Sequence, residues 1–298
     1  MDRNEYKTLS SFYPIKAVVE VKEIGKGISS DAKLVVTSIE KYILRRIKDS
    51  KQAITEYKVS KVLSRHNISP EILLSVSHQP FIEFDDGIYN LQTFISSHNR
   101  EHKINFYDLG RTIGIFHSEL QRIDGLYEQA DRFSLHEMWE RLKQNNGFPN
   151  LVFKGELQKM VERCFTLNHE NNCYIHGDLG KWNLLFGEDN IYIIDFGEVR
   201  RGNNHFDMSA VISSTLDWSQ ENVVIFASLH DFMKGYKSNF AQFDWTLLSE
   251  SLALWFTRGI VALLNHNGID ARNCDSAKVM IDRKNRLEGI IKAIIETP

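Results

Sequence analysis

The sequence predicts an α+β fold in two lobes. The first is a small antiparallel β-rich lobe with one helix, over residues 1–95; the second is larger and mainly helical, over 96–298. Three observations lead there. Strand-like runs of β-branched and aromatic residues crowd the first 95 positions. From about residue 105, apolar residues recur at spacings of three and four. Within the helical part lies one stretch, His176–Gly197, reading HGDLGKWNLLFGEDNIYIIDFG, in which two polar clusters flank short apolar runs.

Residues 15–21, 34–37 and 41–47 read as strands, the first two joined by a Gly-containing turn. Residues 51–66 read as a helix, with Ile54, Tyr57, Val62 and Leu63 apolar. Strands over 80–85 and 88–94 follow, with Asp86-Gly87 as a hairpin signal and a hinge near Thr93–Asn99. Phe106, Leu109, Ile113, Phe116 and Leu120 mark one buried helix face, and 135–145 and 156–168 are further helices. Short strands over 184–186 and 191–194 interrupt. Helices then run from about Phe206 to the end, with breaks near 239–243 and 265–274.

Composition narrows the function classes. The 298 residues carry 36 Lys and Arg against 39 Asp and Glu, a net charge of −3, so no nucleic-acid-binding surface is expected. Cys164, Cys173 and Cys274 form no CxxC pair and suit a reducing cytoplasm. The opening MDRNEYKTLSSFYPIK lacks the apolar core of a signal peptide, and no run approaches the ~20 apolar residues of a membrane span. A cytoplasmic protein that meets neither membrane nor nucleic acid is the expectation.

His176-Gly177-Asp178 is followed by Asn183, five positions after the Asp, and Asp195-Phe196-Gly197 begins twelve positions after the Asn. Phosphoryl transfer from ATP calls for this set of groups. One carboxylate orients the acceptor hydroxyl, and an Asn with a second carboxylate holds Mg²⁺ against the phosphates. Each residue alone reads as a turn or cap; the joint spacing is what argues for chemistry. Upstream, Gly25 and Gly27 let backbone approach phosphate, and Ser29 and Ser30 add donors, although a third glycine is missing. Such a site also needs a strand cation paired with a carboxylate on the next helix. Alternation puts Lys41, Ile43, Arg45 and Ile47 on one strand face and Arg46 on the other. Glu56, the only acidic residue between Asp49 and Glu71, shares a helix side with Val59 and Leu63, so it faces inward and wants a cation.

On these residues the chain resembles the aminoglycoside phosphotransferase and choline kinase family, whose fold is protein-kinase-like. The likeness runs from about Ile24 to Trp255. It rests on HGDxxxxN, here HGDLGKWN; on IDFG; on a later Asp before an apolar helix start, here Asp207; on ILRR in the nucleotide strand; and on Leu109-Gly110 through His117. The run PFIEFDDGIYNLQTFI is also similar to a branch that holds homoserine-kinase-like and spore-coat-associated kinase-like proteins. Two departures stand out. Gly180-Lys181-Trp182 replaces the usual His-Pro-Gly, and no Ala-Pro-Glu follows IDFG, so no activation segment of the protein-kinase type is expected.

The resemblance implies an ATP- and Mg²⁺-dependent phosphotransferase acting on a hydroxyl of a small molecule, such as an amino sugar or amino alcohol. Asp178 is then the catalytic base, and Lys181 approaches the γ-phosphate. Asn183 and Asp195 bind the metal. Aligning I-L-R with the kinase strand selects Arg45 for the α- and β-phosphates, with Lys41 and Arg46 as open alternatives. Glu56 holds Arg45, Ile43 lies beneath the adenine, and Gly25, Gly27, Ser29 and Ser30 cover the phosphates. His176 and Asp207 support the catalytic loop. Trp182, Asp217, Trp218, Glu221, Trp255 and Arg258 are candidate acceptor contacts; acids there suit an amine, and rings a quaternary ammonium or a sugar. Two other readings stay open: transfer to a protein or peptide hydroxyl, and a kinase-like scaffold without catalysis.

Overall fold

A computed structural model describes residues 8–24, 32–84, 87–97, 104–131, 133–167 and 170–296. The chain divides into two compact units. The first contains Met1–His102, Glu119–Gln129 and Asn183–Val199; the second contains Lys103–Ser118, Ala130–Trp182 and Arg200–Pro298. The first unit therefore takes in residues 1–95 and adds two segments from later in the chain.

In the first unit, β1 (Val18–Glu23), β2 (Ala32–Thr37), β3 (Lys41–Ile47), β4 (Ile82–Phe84) and β5 (Gly87–Thr93) form one antiparallel sheet in the order β1-β2-β3-β5-β4. A short helix, α1 (Leu9–Phe12), helps close one face: Leu9 and Tyr13 are buried with Val35, Tyr42, Leu44, Ile82 and Leu91. At four residues α1 is too short to display a helical period, so no sequence pattern announces it. β1 starts at Val18 rather than Ile15, whose N–H donates to the Tyr13 carbonyl at 2.7 Å instead of to a strand partner. Tyr42 and Leu44 point into it, which turns Ile43 and Arg45 to the opposite face. There α2 (Ser50–Leu63) packs on β3, burying Ala53, Glu56, Val59 and Leu63. Asp49 caps α2 by accepting the Gln52 N–H at 2.9 Å.

The second unit is mainly helical: most of α3 (Phe106–Leu120), then α4 (Leu135–Lys143), α5 (Lys154–Thr166), α6 (Asn204–Thr215), α7 (Asn222–Lys237), α8 (Trp245–Asn267) and α9 (Ala271–Glu296). Met138, Trp139, Leu142, Leu157, Val161, Ile260, Leu264 and Ile281 anchor its core. Two glycines bring α3 and α7 into backbone contact. A Cβ on Gly110 would lie 2.0 Å from the Phe232 carbonyl oxygen, and one on Gly235 would lie 2.0 Å from that of Tyr107.

Helix α8 corrects one expectation: it is long and apolar enough, by length and composition, to cross a membrane. Its apolar residues pack on α4, α5, α6 and α9, so the hydropathy is that of a central core helix. The expected break over 265–274 shrinks to 268–270. Asn265 stays helical by donating to the carbonyls of Val261 (3.0 Å) and Met138 (2.7 Å), and Asp270 caps α9 by accepting the Asn273 N–H at 2.7 Å. A further break, 216–221, separates α6 from α7. Arg286 of α9 fastens it, donating to the carbonyls of Trp218 (2.9 Å) and Gln220 and to Asn222 Oδ1 (2.7 Å). The antiparallel pair Cys173–Ile175 with Arg200–Gly202 is also absent from the sequence reading, since three residues per strand, two of them arginines, leave no alternation to see.

Candidate active site

The nucleotide half of the expected site lies in the first unit. Arg45 is buried under α2, with Nη1 donating to Glu56 Oε2 at 3.1 Å and Nη2 donating to Asp195 Oδ1 at 2.6 Å. Glu56 is wholly buried and also accepts from Gln52 Nε2 (2.8 Å) and Asn90 Nδ2 (3.2 Å). Burial works against the charge on Arg45, but Glu56 and then Asp195 more than offset it, so its pKa is raised. Of the alternatives, Lys41 and Arg46 are exposed, and Lys41 lies over the Phe94 ring at 5.7 Å. Ile43 is half-buried and pairs with Gln92 of β5.

Asn183 and Asp195 bracket a hairpin in which Leu184–Phe186 pairs with Ile191–Ile193, Leu184 opposite Ile193. That register brings both residues to one end, where the Ile194 N–H donates to the Asn183 carbonyl at 3.0 Å. Asp195 adopts the left-handed conformation (φ 66°, ψ 66°), which Asp tolerates better than most residues. Its carboxylate is 29% exposed. At Gly197 a Cβ would fall 2.5 Å from Gln52 Nε2, so glycine leaves room for the Gln52 amide that donates to Glu56. One carboxylate and one amide at a hairpin end fit Mg²⁺, which takes few protein oxygens and completes its shell with phosphates and water. Among the described residues no three His, Cys, Asp or Glu side chains group as a metal site. Gly25, Gly27, Ser29 and Ser30 lie outside the described residues.

The second unit holds the loop that carries Asp178. Asp207, in the first turn of α6, is wholly buried. Its Oδ2 accepts the backbone N–H of His176 at 2.6 Å and its Oδ1 that of Gly177 at 3.0 Å; Oδ2 also lies 3.2 Å from His117 Nε2. His117 Nδ1 is 2.8 Å from the Tyr236 hydroxyl, to which Asn204 Nδ2 donates at 2.8 Å. Burial alone would raise the Asp207 pKa, yet His117 and then His176 pull it below the ordinary carboxylate value. Gly177 has φ 82°, a conformation that glycine takes without strain. His176 is buried, and its Nδ1 accepts the Asp178 N–H at 3.3 Å. The partly buried Asp178 accepts from Trp182 Nε1 at 3.3 Å. Lys181 is exposed and is placed by its backbone N–H, which donates to Ser214 Oγ at 2.9 Å. His117 is visible in the sequence through the LG…LH pattern; Tyr236 and Asn204 carry no sequence signal for their part in this network.

The candidate acceptor contacts divide. Trp182 and Trp255 are near-parallel, with ring centroids 6.5 Å apart. Arg258 is buried and donates to Asp131 Oδ1 at 2.7 Å, while Arg200 lies 3.4 Å from Asp131 Oδ2. Burial, with Arg200 nearby, brings the Arg258 pKa down to about 10. Asp217 is tied into its own turn, where Ser219 and Gln220 hold its carboxyl at about 2. Trp218 is covered by the Arg283 guanidinium at 5.0 Å from its ring, and Glu221 is exposed at the start of α7.

Comparison with known proteins gives the geometry a family. The chain has the fold of amicoumacin kinase hAmiN, solved with AMP-PNP, Ca²⁺ and Ami (TM-score 0.70, 15% identity, 97% of this chain and 94% of that one). It shares that fold with spectinomycin phosphotransferase APH(9)-Ia in complex with ADP and spectinomycin (0.69, 15%, 98% of both chains) and with choline kinase from Cryptosporidium parvum Iowa II (0.62, 14%, 91% of both). No curated protein matches by sequence. The model of the phosphotransferase enzyme family (APH) matches residues 20–241, well over half of the chain. The chain belongs to that phosphotransferase enzyme family.

Proposed function

We propose that this phosphotransferase moves the γ-phosphate of ATP to a hydroxyl of a small, amine-bearing molecule. The observation that carries the reading is the buried Arg45, fixed by Glu56 and reaching Asp195: a permanent cation beside the carboxylate proposed for the metal. In the proposed roles, Arg45 binds the α- and β-phosphates, and Asn183 and Asp195 hold Mg²⁺. That ion would supply positive charge to offset that of the phosphates. Asp178 accepts the hydrogen bond of the acceptor hydroxyl and aims its oxygen at the γ-phosphorus. As the new O–P bond forms and the bond to the ADP oxygen breaks, the hydroxyl proton passes to Asp178 and on to solvent. Lys181 meets the charge on the γ-phosphate. The rings of Trp182 and Trp255 support an acceptor that carries a cation.

The test is ADP release with Mg²⁺-ATP over aminoglycosides, choline-like amines, homoserine, methylthioribose and simple sugars. Acceptor-dependent release that Asp178→Asn lowers at least about 100-fold is the expected result. Release that is independent of every acceptor and unchanged in Asp178→Asn would overturn the proposal.

A further inference from the structure

We infer that Trp182 is a positioning residue for Asp178. The inference rests on the assignment of Asp178 to the acceptor hydroxyl, and deepens it. Three features of the second unit converge on this indole. Its Nε1 donates to Asp178 Oδ2 at 3.3 Å. The ring is laid flat across Gly180: a Cβ there would fall 2.2–2.4 Å from Cζ2, Cη2 and Cε2, so glycine at 180 is a condition for this indole position. The residue is 57% exposed, far more than core packing would leave on so large an apolar group. Behind it Trp255 lies near-parallel, and Phe206 meets Trp255 edge-on at 5.4 Å. Gly180 and Trp182 are two of the three positions where the loop departs from His-Pro-Gly, so glycine and tryptophan work as one device: the glycine clears a bed, and the indole lying in it fixes the carboxylate.

The device separates orientation from binding. Trp182→Phe keeps a ring and removes the N–H, so kcat for the acceptor found in the panel falls about tenfold while its KM stays within about twofold. Trp182→Ala also removes the ring face, so KM rises as well. Gly180→Ala displaces the indole and reproduces the kcat loss with Trp182 still present; in a Trp182→Ala background it costs little more, because its effect runs through the ring.

A second readout needs no acceptor. In protein labelled with ¹⁵N at tryptophan, Trp182→Phe identifies one of the five indole N–H peaks. Asp178→Ala and Gly180→Ala should each move that peak upfield and leave those of Trp139, Trp218 and Trp245 in place. An unmoved peak in both variants overturns the inference. So does a wild-type kcat in Trp182→Phe when Asp178→Asn is inactive. Full activity in Asp178→Asn would instead remove the role of Asp178 on which the inference rests.

Discussion

Glu56 in the first unit and Asp207 in the second are both wholly buried carboxylates, and they are satisfied by opposite means. Glu56 is held by a guanidinium and two side-chain amides. Asp207 is held by two backbone N–H groups and His117. The first arrangement leaves a cation that still reaches outward, since Arg45 extends its second nitrogen to Asp195. The second leaves nothing to share: its oxygens fix the peptide N–H groups on either side of the His176 Cα and thereby the approach to Asp178. A buried ion pair is the economical way to present charge to a ligand, and backbone donors are the way to freeze a loop.

Substitutions can break this contrast in decreasing order of effect. Asp207→Ala should be the most damaging, leaving two buried N–H groups without their acceptor and costing about 3–5 kcal/mol in urea unfolding. The acid limb sharpens the point. The native pKa of Asp207 lies below its ordinary 3.8, so its stabilisation is complete above that value and drains away as pH falls through the native pKa. Asp207→Asn should flatten this part of the stability–pH curve. Glu56→Ala leaves Arg45 with Asp195 as its carboxylate partner from the pair. It should cost about 3 kcal/mol and weaken Mg²⁺-ATP binding at least tenfold by calorimetry, an estimate from the loss of one member of a buried pair. Gly235→Ala forces α7 off α3, for about 1–3 kcal/mol, with ATP affinity unchanged. Arg45→Lys should be mildest, raising the KM for ATP roughly three- to tenfold, because an ammonium does not reproduce the two-pronged geometry. A larger effect from Arg45→Lys than from Glu56→Ala would reverse the order and make Arg45 more than a cation held by Glu56.

The sequence exposed whatever repeats or keeps a fixed spacing. β3 shows its alternation, α3 its three-and-four period, and Glu56 its inward face. The spacing of Asp178, Asn183 and Asp195 singled out the groups proposed here for the reaction, but neither the hairpin register that brings the latter two to one end nor the left-handed turn at Asp195 could be read from it. What stayed hidden depends on partners distant in the chain. Tyr236 and Asn204 look like ordinary helix residues until α3, α6 and α7 meet and the Tyr236 hydroxyl joins Asn204 to His117. The break at 216–221 has no proline or glycine, and its fastening comes from Arg286, far along the chain. Helix α8 reads as apolar enough to span a membrane because four helices bury it.

The most direct test pairs two quantities in one variant: the Kd for Mg²⁺-ATP and the rate of acceptor-dependent ADP release, both in Asp178→Asn. If nucleotide binding and acceptor activation rest on separate groups, the Kd stays within about twofold of wild type while kcat falls at least about 100-fold. Retained turnover in that variant, or a Kd that collapses with it, would contradict the division of labour between Arg45 with its carboxylates and Asp178.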